Sequence, residues 1–362
     1  MSERRTQGDG GEPGAAVHRP RNVLVTGGAG FIGCNFVRYL LATDPDVRIV
    51  DLDALTYAGS LENLTQLPDP ARHTFVHGDI CDRALVDRLL RESDIDTIVH
   101  FAADSHVDRS IAGPAPFIQT NIVGTFQLLE AARELWLRGG GGGASGGGGA
   151  GAGRRFHHIS TDEVYGTLGP DDPAFTETTP YAPGSPYSAS KAASDHLVRA
   201  YWRTYGLPVT ISNCSNNFGP FQHAEKFLPT VIRGCLTRTR IPVYGDGSNV
   251  RDWLYVDDHC RGIDAVVRRG RTGEFYNIGG LNEWSNIELV RRVCAIMDQL
   301  RPAAAPHFEL VEMVTDRPGH DWRYAIDITK IRRALGWQPQ EPFDAALRKT
   351  IEWYAARMPA RG

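Results

Sequence analysis

The stretch RNVLVTGGAGFIGCNFVRYLL, residues 21–41, decides the fold. Arg21 to Thr26 is the β-branched, apolar run of a buried strand, and Cys34 to Leu41 carries the apolar spacing of a helix. Between them lie Gly27-Gly28-Ala29-Gly30-Phe31-Ile32-Gly33. In such a turn the first glycines let the backbone bend tightly and approach a pyrophosphate, and the last lets the helix pack on the strand. The helix N-terminus then presents unpaired N–H groups and a partial positive charge to the phosphates.

A glycine-rich turn by itself also occurs without a ligand. Asp53 adds the second half of a dinucleotide site, because it lies about 20 residues past Gly33, where a ribose-binding carboxylate belongs. A carboxylate there accepts from the ribose diol and repels a 2′-phosphate, while Ala54 and Leu55 offer no cation to attract one. NAD is therefore expected rather than NADP. Asp51 competes for the ribose role, and spacing favours Asp53.

Outward from this unit, Val47 to Val50 forms a second strand ending in Asp51-Leu52-Asp53, with further strands predicted at His73 to Val76, Thr97 to Phe101, Phe156 to Ile159 and Val209 to Ser212. Their alternation with helices argues for an α/β fold, a Rossmann-type doubly wound parallel sheet. Beyond Asn213 the chain is richer in Pro, Gly and aromatics, with helices predicted at Ile287 to Gln299, Ile328 to Leu335 and Phe343 to Ala356. The expected division is a disordered tail over 1–20, a dinucleotide-binding domain over 21–212, and over 213–362 mainly a smaller α/β substrate lobe, some of whose segments return to the first domain. Residues 139–153, almost all Gly and Ala, are expected to form a flexible surface loop.

At 362 residues and 41 % hydrophobic content the chain can bury a sizeable core. Its 39 Lys and Arg against 43 Asp and Glu give a net charge of −4, so no positive field recruits nucleic acid or an acidic membrane surface. The 6 cysteines are scattered without a C-x-x-C pair, which argues against a zinc cluster and a disulfide framework, and no metal is expected. The polar N-terminus lacks an apolar signal segment and no stretch is apolar enough to span a bilayer, so a cytoplasmic protein is expected.

Chemistry enters with Thr161-Asp162-Glu163 and with Tyr187-Ser188-Ala189-Ser190-Lys191. The former follows the strand at Phe156 to Ile159, at the carboxyl end of the sheet where ligands bind in open α/β folds. As a bland alternative, Thr161 or Asp162 caps a helix and Glu163 is an ordinary first-turn acid. The phenol of Tyr187 and the ammonium of Lys191 sit one helical turn apart. Lowering a phenol's pKa by about three units needs roughly 4 kcal/mol, which a close cation and an oxidised nicotinamide could supply. Oxidation of an alcohol needs that pair alone; the added carboxyl pair points to a second proton-moving step such as loss of water.

His157-His158-Ile159-Ser160-Thr161-Asp162-Glu163-Val164-Tyr165-Gly166 closely resembles the signature of the nucleoside-diphosphate-glucose 4,6-dehydratases, extended members of the short-chain dehydrogenase/reductase superfamily, with the thymidine-diphosphate (dTDP) branch nearest. The likeness runs from Asn22 to about Tyr354 and includes Asp53 to Gly59, Gly78-Asp79-Ile80, Ala102 to Ser110, Thr120-Asn121, Asn216 to Pro220, Glu225-Lys226, Tyr244 to Gly247, Arg251 to His259 and Asp316 to His320. The resemblance implies that Tyr187, assisted by Lys191 and Thr161, deprotonates the glucosyl 4-hydroxyl. Glu163 would then take the hydrogen of C-5 and Asp162 would protonate the departing 6-hydroxyl, yielding a 4-keto-6-deoxy sugar and water.

For the cofactor the resemblance implies Gly27, Gly30, Phe31, Ile32, Gly33, Asp53, Ala54, Leu55, Thr56, Asp79, Ile80, Ala102, Ala103, Ser105, Thr120 and Asn217, with Tyr187 and Lys191. For the nucleotide sugar it implies Ser105, Thr161, Asn216, Lys226, Phe227, Pro242, Tyr244, Arg251, Asn286, Arg317 and His320. Asp104 stands where the family usually has Glu, and Phe227 where Leu is common. The helices over Asn121 to Leu137 and Tyr187 to Tyr205 resemble the family's dimer-forming pair, implying a homodimer through a four-helix bundle. Epimerases and decarboxylases of the superfamily share the turn and the Tyr/Lys pair, and the Asp162-Glu163 pair discriminates against both. A catalytically silent NAD(H) sensor would have no use for the full Thr/Asp/Glu/Tyr/Lys set.

Overall fold

The computed structural model describes residues 17–138, 151–316 and 319–357. Its main sheet has seven parallel strands in the order β10-β6-β5-β4-β1-β2-β3. These are β1 (Asn22–Thr26), β2 (Arg48–Asp53), β3 (His73–His77), β4 (Thr97–His100), β5 (Arg155–Thr161), β6 (Val209–Cys214) and, after three strands of the smaller lobe, β10 (Phe275–Ile278). From β1 the chain winds outward through β2 and β3, then returns to β4 on the other side and continues through β5 and β6. The order reverses between β1 and β4, and that switch point is where an open α/β sheet leaves a crevice at its carboxyl ends.

Two apolar layers cover the faces. On one, the helices Phe31–Thr43 and Val256–Arg269 bury Phe36, Val37, Leu40, Ile263 and Val266 in one cluster with Val23, Val25, Ile49 and Cys214 of β1, β2 and β6. On the other, Arg83–Glu92, Thr125–Arg133 and Pro186–Tyr205 bury Leu90, Leu128, Leu129 and Val198 over Leu24, Ile98 and Phe156. Because both faces are covered, β4, β5 and β6 are buried along their whole length. Polar residues of these strands, among them His157, Thr210 and Ser212, are therefore buried as well, and the His157 ring lies within hydrogen-bond distance of both hydroxyls.

The smaller lobe holds β7 (Asn216–Phe218), β9 (Val250–Tyr255) and β11 (Glu283–Ser285) in one sheet, and β8 (Ile241–Tyr244) with β12 (Val311–Val314) in another. Asn286–Leu300 follows β11 with a capping box, Ser285 Oγ accepting from Glu288 N while the Glu288 carboxylate accepts from Ser285 N. In the later half of the chain, β10 closes the sheet edge beside β6, and Val256–Arg269 packs on Phe31–Thr43.

Two expectations need correction. Part of the expected tail is anchored, since His18 is buried with Nε2 2.7 Å from Thr97 Oγ1 and its N–H donates to Arg268 O at 2.7 Å. Residues 1–16 lie outside the described residues, as do 139–150 of the expected flexible loop and Arg317. The helix expected over Asn121 to Leu137 starts earlier and is wound in segments: Ala115–Phe117, a π stretch Ile118–Gly124, Thr125–Arg133 and a second π stretch Glu134–Arg138. Among the described residues no helix is long and apolar enough to cross a membrane.

Candidate active site

The glycine turn is built around backbone approach. Gly27 takes φ +76°, and a Cβ on it would stand 2.7 Å from Ala102 N. A Cβ on Gly33 would stand 2.2 Å from Gly27 O, so only glycine lets the helix begin where it does. No side chain caps the helix at Gly30, which leaves its first N–H groups facing the cleft. Asp53 braces this turn, one carboxylate oxygen accepting from Ala29 N at 2.9 Å and the other from Leu55 N at 2.7 Å. Asp51 is fully buried and accepts from Gly28 N at 3.1 Å, so it supports the loop from beneath while Asp53 lines the cleft.

One cleft runs from this turn to the ends of β5 and β6. All the residues expected to hold the cofactor line it except Leu55, whose amide is occupied by Asp53. Thr120 Oγ1 donates to Asp104 Oδ2 at 3.1 Å, so the shortened acid of this chain anchors the opposite wall. Asn217, also in the wall, is oriented by His259, whose Nδ1 is 2.8 Å from its Oδ1. The residues present fit a dinucleotide: a glycine cradle that a Cβ would fill, free helix N–H groups, and a ribose-side carboxylate.

Thr161, Asp162, Glu163, Tyr187 and Lys191 line the same cleft. Thr161 ends β5 in extended conformation and its Oγ1 accepts from Glu163 N at 3.3 Å, starting the short turn Asp162–Tyr165. The cap expected as the bland alternative is therefore present, and it is the device that presents the acids. Pro186–Tyr205 begins beside it with a Ser185/Ser188 capping box, which fixes the first-turn position of Tyr187.

The electrostatics separate the two acids. Asp162 is 2 % exposed, and its carboxyl is held well above the usual range by burial, then by the neighbouring charges of Glu163 and Asp252, with Arg251 opposing. These surroundings favour the protonated form of Asp162 over the carboxylate. The Tyr187 phenol is pushed up rather than down: burial comes first, then Glu163 and Cys214, and a hydrogen bond with Thr161 opposes. The expected lowering of this phenol relies on an oxidised nicotinamide together with Lys191. Its Nζ donates to Ile159 O at 2.7 Å, and burial lowers its own pKa to about 8.

Of the residues expected to hold the nucleotide sugar, Ser105, Thr161, Asn216 and Lys226 line the cleft. Lys226 Nζ donates to Ser105 O at 3.0 Å, bridging lobe and main domain. Phe227, Pro242, Tyr244, Arg251, Asn286 and His320 lie outside its lining. Phe227 stacks on Trp253, and Pro242 is exposed on β8. Tyr244 and His320 meet edge-on with ring centres 6.2 Å apart, and Asn286 N donates to Asn249 O at 3.0 Å. Buried Arg251 lies over Tyr324, its guanidinium donating to Val250 O at 2.7 Å and Asp321 O at 2.9 Å. Backbone carbonyls hold it, and its charge reaches Asp162 from there.

Sequence reasoning missed Gln222 and His223, which complete the wall beside Lys226, and it missed Asp195. Asp195 was within reach of a spacing argument, because Tyr187, Lys191 and Asp195 follow at four-residue steps on one helix face.

A family model described as GDP-mannose 4,6 dehydratase matches residues 24–350. A dTDP-glucose 4,6-dehydratase of Neisseria meningitidis is 54 % identical over 338 residues, covering 92 % of this chain and 93 % of that protein. The chain belongs to the dTDP-glucose 4,6-dehydratase family. Another member, from Xanthomonas campestris pv. campestris, is 56 % identical over 333 residues, with 91 % and 92 % covered. The crystal structure of the family's Bacillus anthracis protein in complex with NAD aligns with a TM-score of 0.81 at 42 % identity, covering 92 % of this chain and 96 % of that one. The fold extends beyond this family: a UDP-glucose 4-epimerase of Thermotoga maritima aligns with a TM-score of 0.80 at 26 % identity, covering 93 % and 99 %. What separates this dehydratase family from such a neighbour must therefore lie in side chains rather than in the scaffold.

Proposed function

We propose that this chain is an NAD-dependent hydro-lyase that converts dTDP-glucose to dTDP-4-keto-6-deoxyglucose and water. The observation that carries the reading is a buried Asp162, in surroundings that favour its protonated form, beside Glu163 in the cleft that also holds the glycine cradle and Tyr187. Bound NAD supplies the hydride acceptor for C-4 and, once reduced, the hydride donor for C-6.

The chain's own groups manage the protons. Thr161 and Tyr187 orient the 4-hydroxyl, and Tyr187 takes its proton as the phenolate, a form that the positive charge of Lys191 one turn away and the oxidised nicotinamide of bound NAD would favour against burial. The ketone at C-4 acidifies the hydrogen on C-5, which Glu163 removes as base. Asp162 gives its proton to the 6-hydroxyl, which leaves as water. Glu163 returns its proton to C-5, and the proton gained by Tyr187 balances the one spent by Asp162. Two carboxyls in unequal surroundings suit this division of acid and base.

Lys226 at the cleft, with Arg251, Arg317, Asn286, Tyr244 and His320 in the smaller lobe, is proposed to engage the nucleotide and its diphosphate, making residues 213–362 mainly the substrate lobe. Arginine suits that task through its planar, paired donors. The reading includes a homodimer, supported by Ile118, Phe126 and Tyr205, large apolar side chains exposed on the two helical segments expected to pair. Its place is the cytoplasm, in keeping with six free cysteines.

The test is mass spectrometry of dTDP-glucose incubated with the protein in deuterated water. Loss of one water with one deuterium gained at C-5 is expected. An unchanged substrate mass in the presence of NAD overturns the reading.

A further inference from the structure

A string of buried polar groups runs from Lys191 away from the cleft-lining set. His158 Nε2 stands 3.4 Å from Lys191 Nζ and 3.3 Å from Asp195 Oδ1. The other carboxylate oxygen of Asp195 accepts from Ser160 Oγ at 2.7 Å and from Tyr181 OH at 2.9 Å. Asn213 Nδ2 lies 3.4 Å from the same phenol and donates to Thr161 O at 3.1 Å. Lys191, His158 and Asp195 are 4 % exposed or less. An isolated ammonium in such a place would give up its proton, so a buried cation implies a buried anion nearby.

The anion has a second connection. Ser160 immediately precedes Thr161-Asp162-Glu163 at the end of β5, so a carboxylate that grips Ser160 from Pro186–Tyr205 fixes the turn bearing the two acids to the helix bearing the phenol. We infer that Asp195 is a positioning residue for the reaction: as the buried anion one helical turn away it keeps Lys191 charged, and through Ser160 it holds the Thr161-Asp162-Glu163 turn in register with Tyr187. The inference rests on the proposed roles of Tyr187 and Lys191 and adds the group that sustains them.

The groups around the pair are consistent with this. Lys191 faces His100 from β4, His158 from β5 and Cys214 from β6. Burial holds both histidines well below and the thiol above their ordinary values, so these three neighbours are neutral. Asp195 faces Tyr165 and Tyr181, whose phenols are raised by burial and likewise neutral. Burial raises the Asp195 carboxyl to about 6 against the pull of Lys191, while Lys191 falls to about 8 with Asp195 opposing. Both are charged between those values, and the pair's anion is what keeps Lys191 from falling further.

The experiment compares pH profiles of kcat and KM for dTDP-glucose across roughly pH 6 to 9 in the parent, Asp195→Asn and Asp195→Glu, each with its melting temperature. In Asp195→Asn the amide keeps the shape of the group and loses its charge. Its alkaline limb is expected to move down by about one pH unit, which costs about tenfold in kcat near the parent's limb while KM changes little. Asp195→Glu is expected to restore the limb. A limb unmoved in folded Asp195→Asn, whatever its rate, overturns the inference. If Asp195→Asn does not fold, Tyr181→Phe decides instead: losing one hydrogen bond to the carboxylate raises the pKa of Asp195, so the acid limb is expected to move up, and an acid limb unmoved in the folded variant overturns the inference. A parent inactive on dTDP-glucose overturns the proposed function itself, a separate result.

Discussion

Asp162 and Glu163 are neighbours in the chain with unequal surroundings: Asp162 keeps 2 % of its surface exposed, whereas Glu163 is half-buried with its amide on Thr161 Oγ1 at 3.3 Å. Oδ2 of Asp162 meets no hydrogen-bond partner among the described residues. Burial of a carboxylate there is costly, so the site favours the protonated form, and a proton held in a dry site beside a base is what elimination of water requires.

Asp162→Asn is expected to retain C-4 oxidation and block elimination. The reduced-nicotinamide absorbance should accumulate while formation of the 4-keto-6-deoxy product drops by about 10²- to 10⁴-fold. Product formation at the parent's rate would remove Asp162 from its role.

Tyr187→Phe acts one step earlier. It leaves the ring packed against Phe117, 6.3 Å away centre to centre, and removes only the hydroxyl. Neither reduced nicotinamide nor product should appear, with kcat down by about 10²-fold or more and stability little changed. Rapid-mixing absorbance measurements separate this block from that of Asp162→Asn.

Gly33→Ala places a methyl group 2.2 Å from Gly27 O. Backbone must shift to admit it, at about 1 to 3 kcal/mol of stability. NAD affinity, measured by titration calorimetry, should fall with it, and an unchanged affinity would mean that the turn does not cradle the pyrophosphate.

Asp53→Ala removes the acceptor for Ala29 N and Leu55 N and, in the proposed complex, for the ribose diol. Loss of a charged hydrogen bond is worth about 1.5 to 3 kcal/mol, or at least roughly tenfold in affinity. The ratio of NAD to NADP affinity should fall by that factor or more, while a constant ratio would point to another determinant.

Ile118→Asp with Phe126→Asp places two charges on an exposed apolar face. Sedimentation velocity should show a dimeric parent and a monomeric variant. Each large apolar side chain buried at such a contact contributes about 1.5 to 3 kcal/mol, so two charges suffice to separate the subunits. A monomeric parent would refute the proposed homodimer.

Much of the fold was legible because it rests on local, one-dimensional rules. β1 announces itself by an uninterrupted apolar run, and the turn by glycines whose Cβ would collide with backbone. β10 was not legible: Phe275–Ile278 is four residues long beside glycines, and it is a strand because β6 offers it an open edge, 60 residues earlier in the chain. Arg251 shows the same limit at the site. A phosphate-binding residue type says nothing about orientation, and its guanidinium is held by the carbonyls of Val250 and Asp321.

By itself the sequence determined the doubly wound sheet, the glycine cradle with Asp53, and the Thr161, Asp162, Glu163, Tyr187 and Lys191 set, because each is written in spacing along one strand, turn or helix. Protonation was left to the tertiary structure. Whether Asp162 holds its proton, whether Tyr187 is pulled down or pushed up, and what keeps Lys191 charged depend on burial and on charges such as Asp252, Arg251 and Asp195. Burial and through-space charge act over distances in the folded protein, and packing alone brings β5, β6, β9 and the helix of Tyr187 close enough for them to operate.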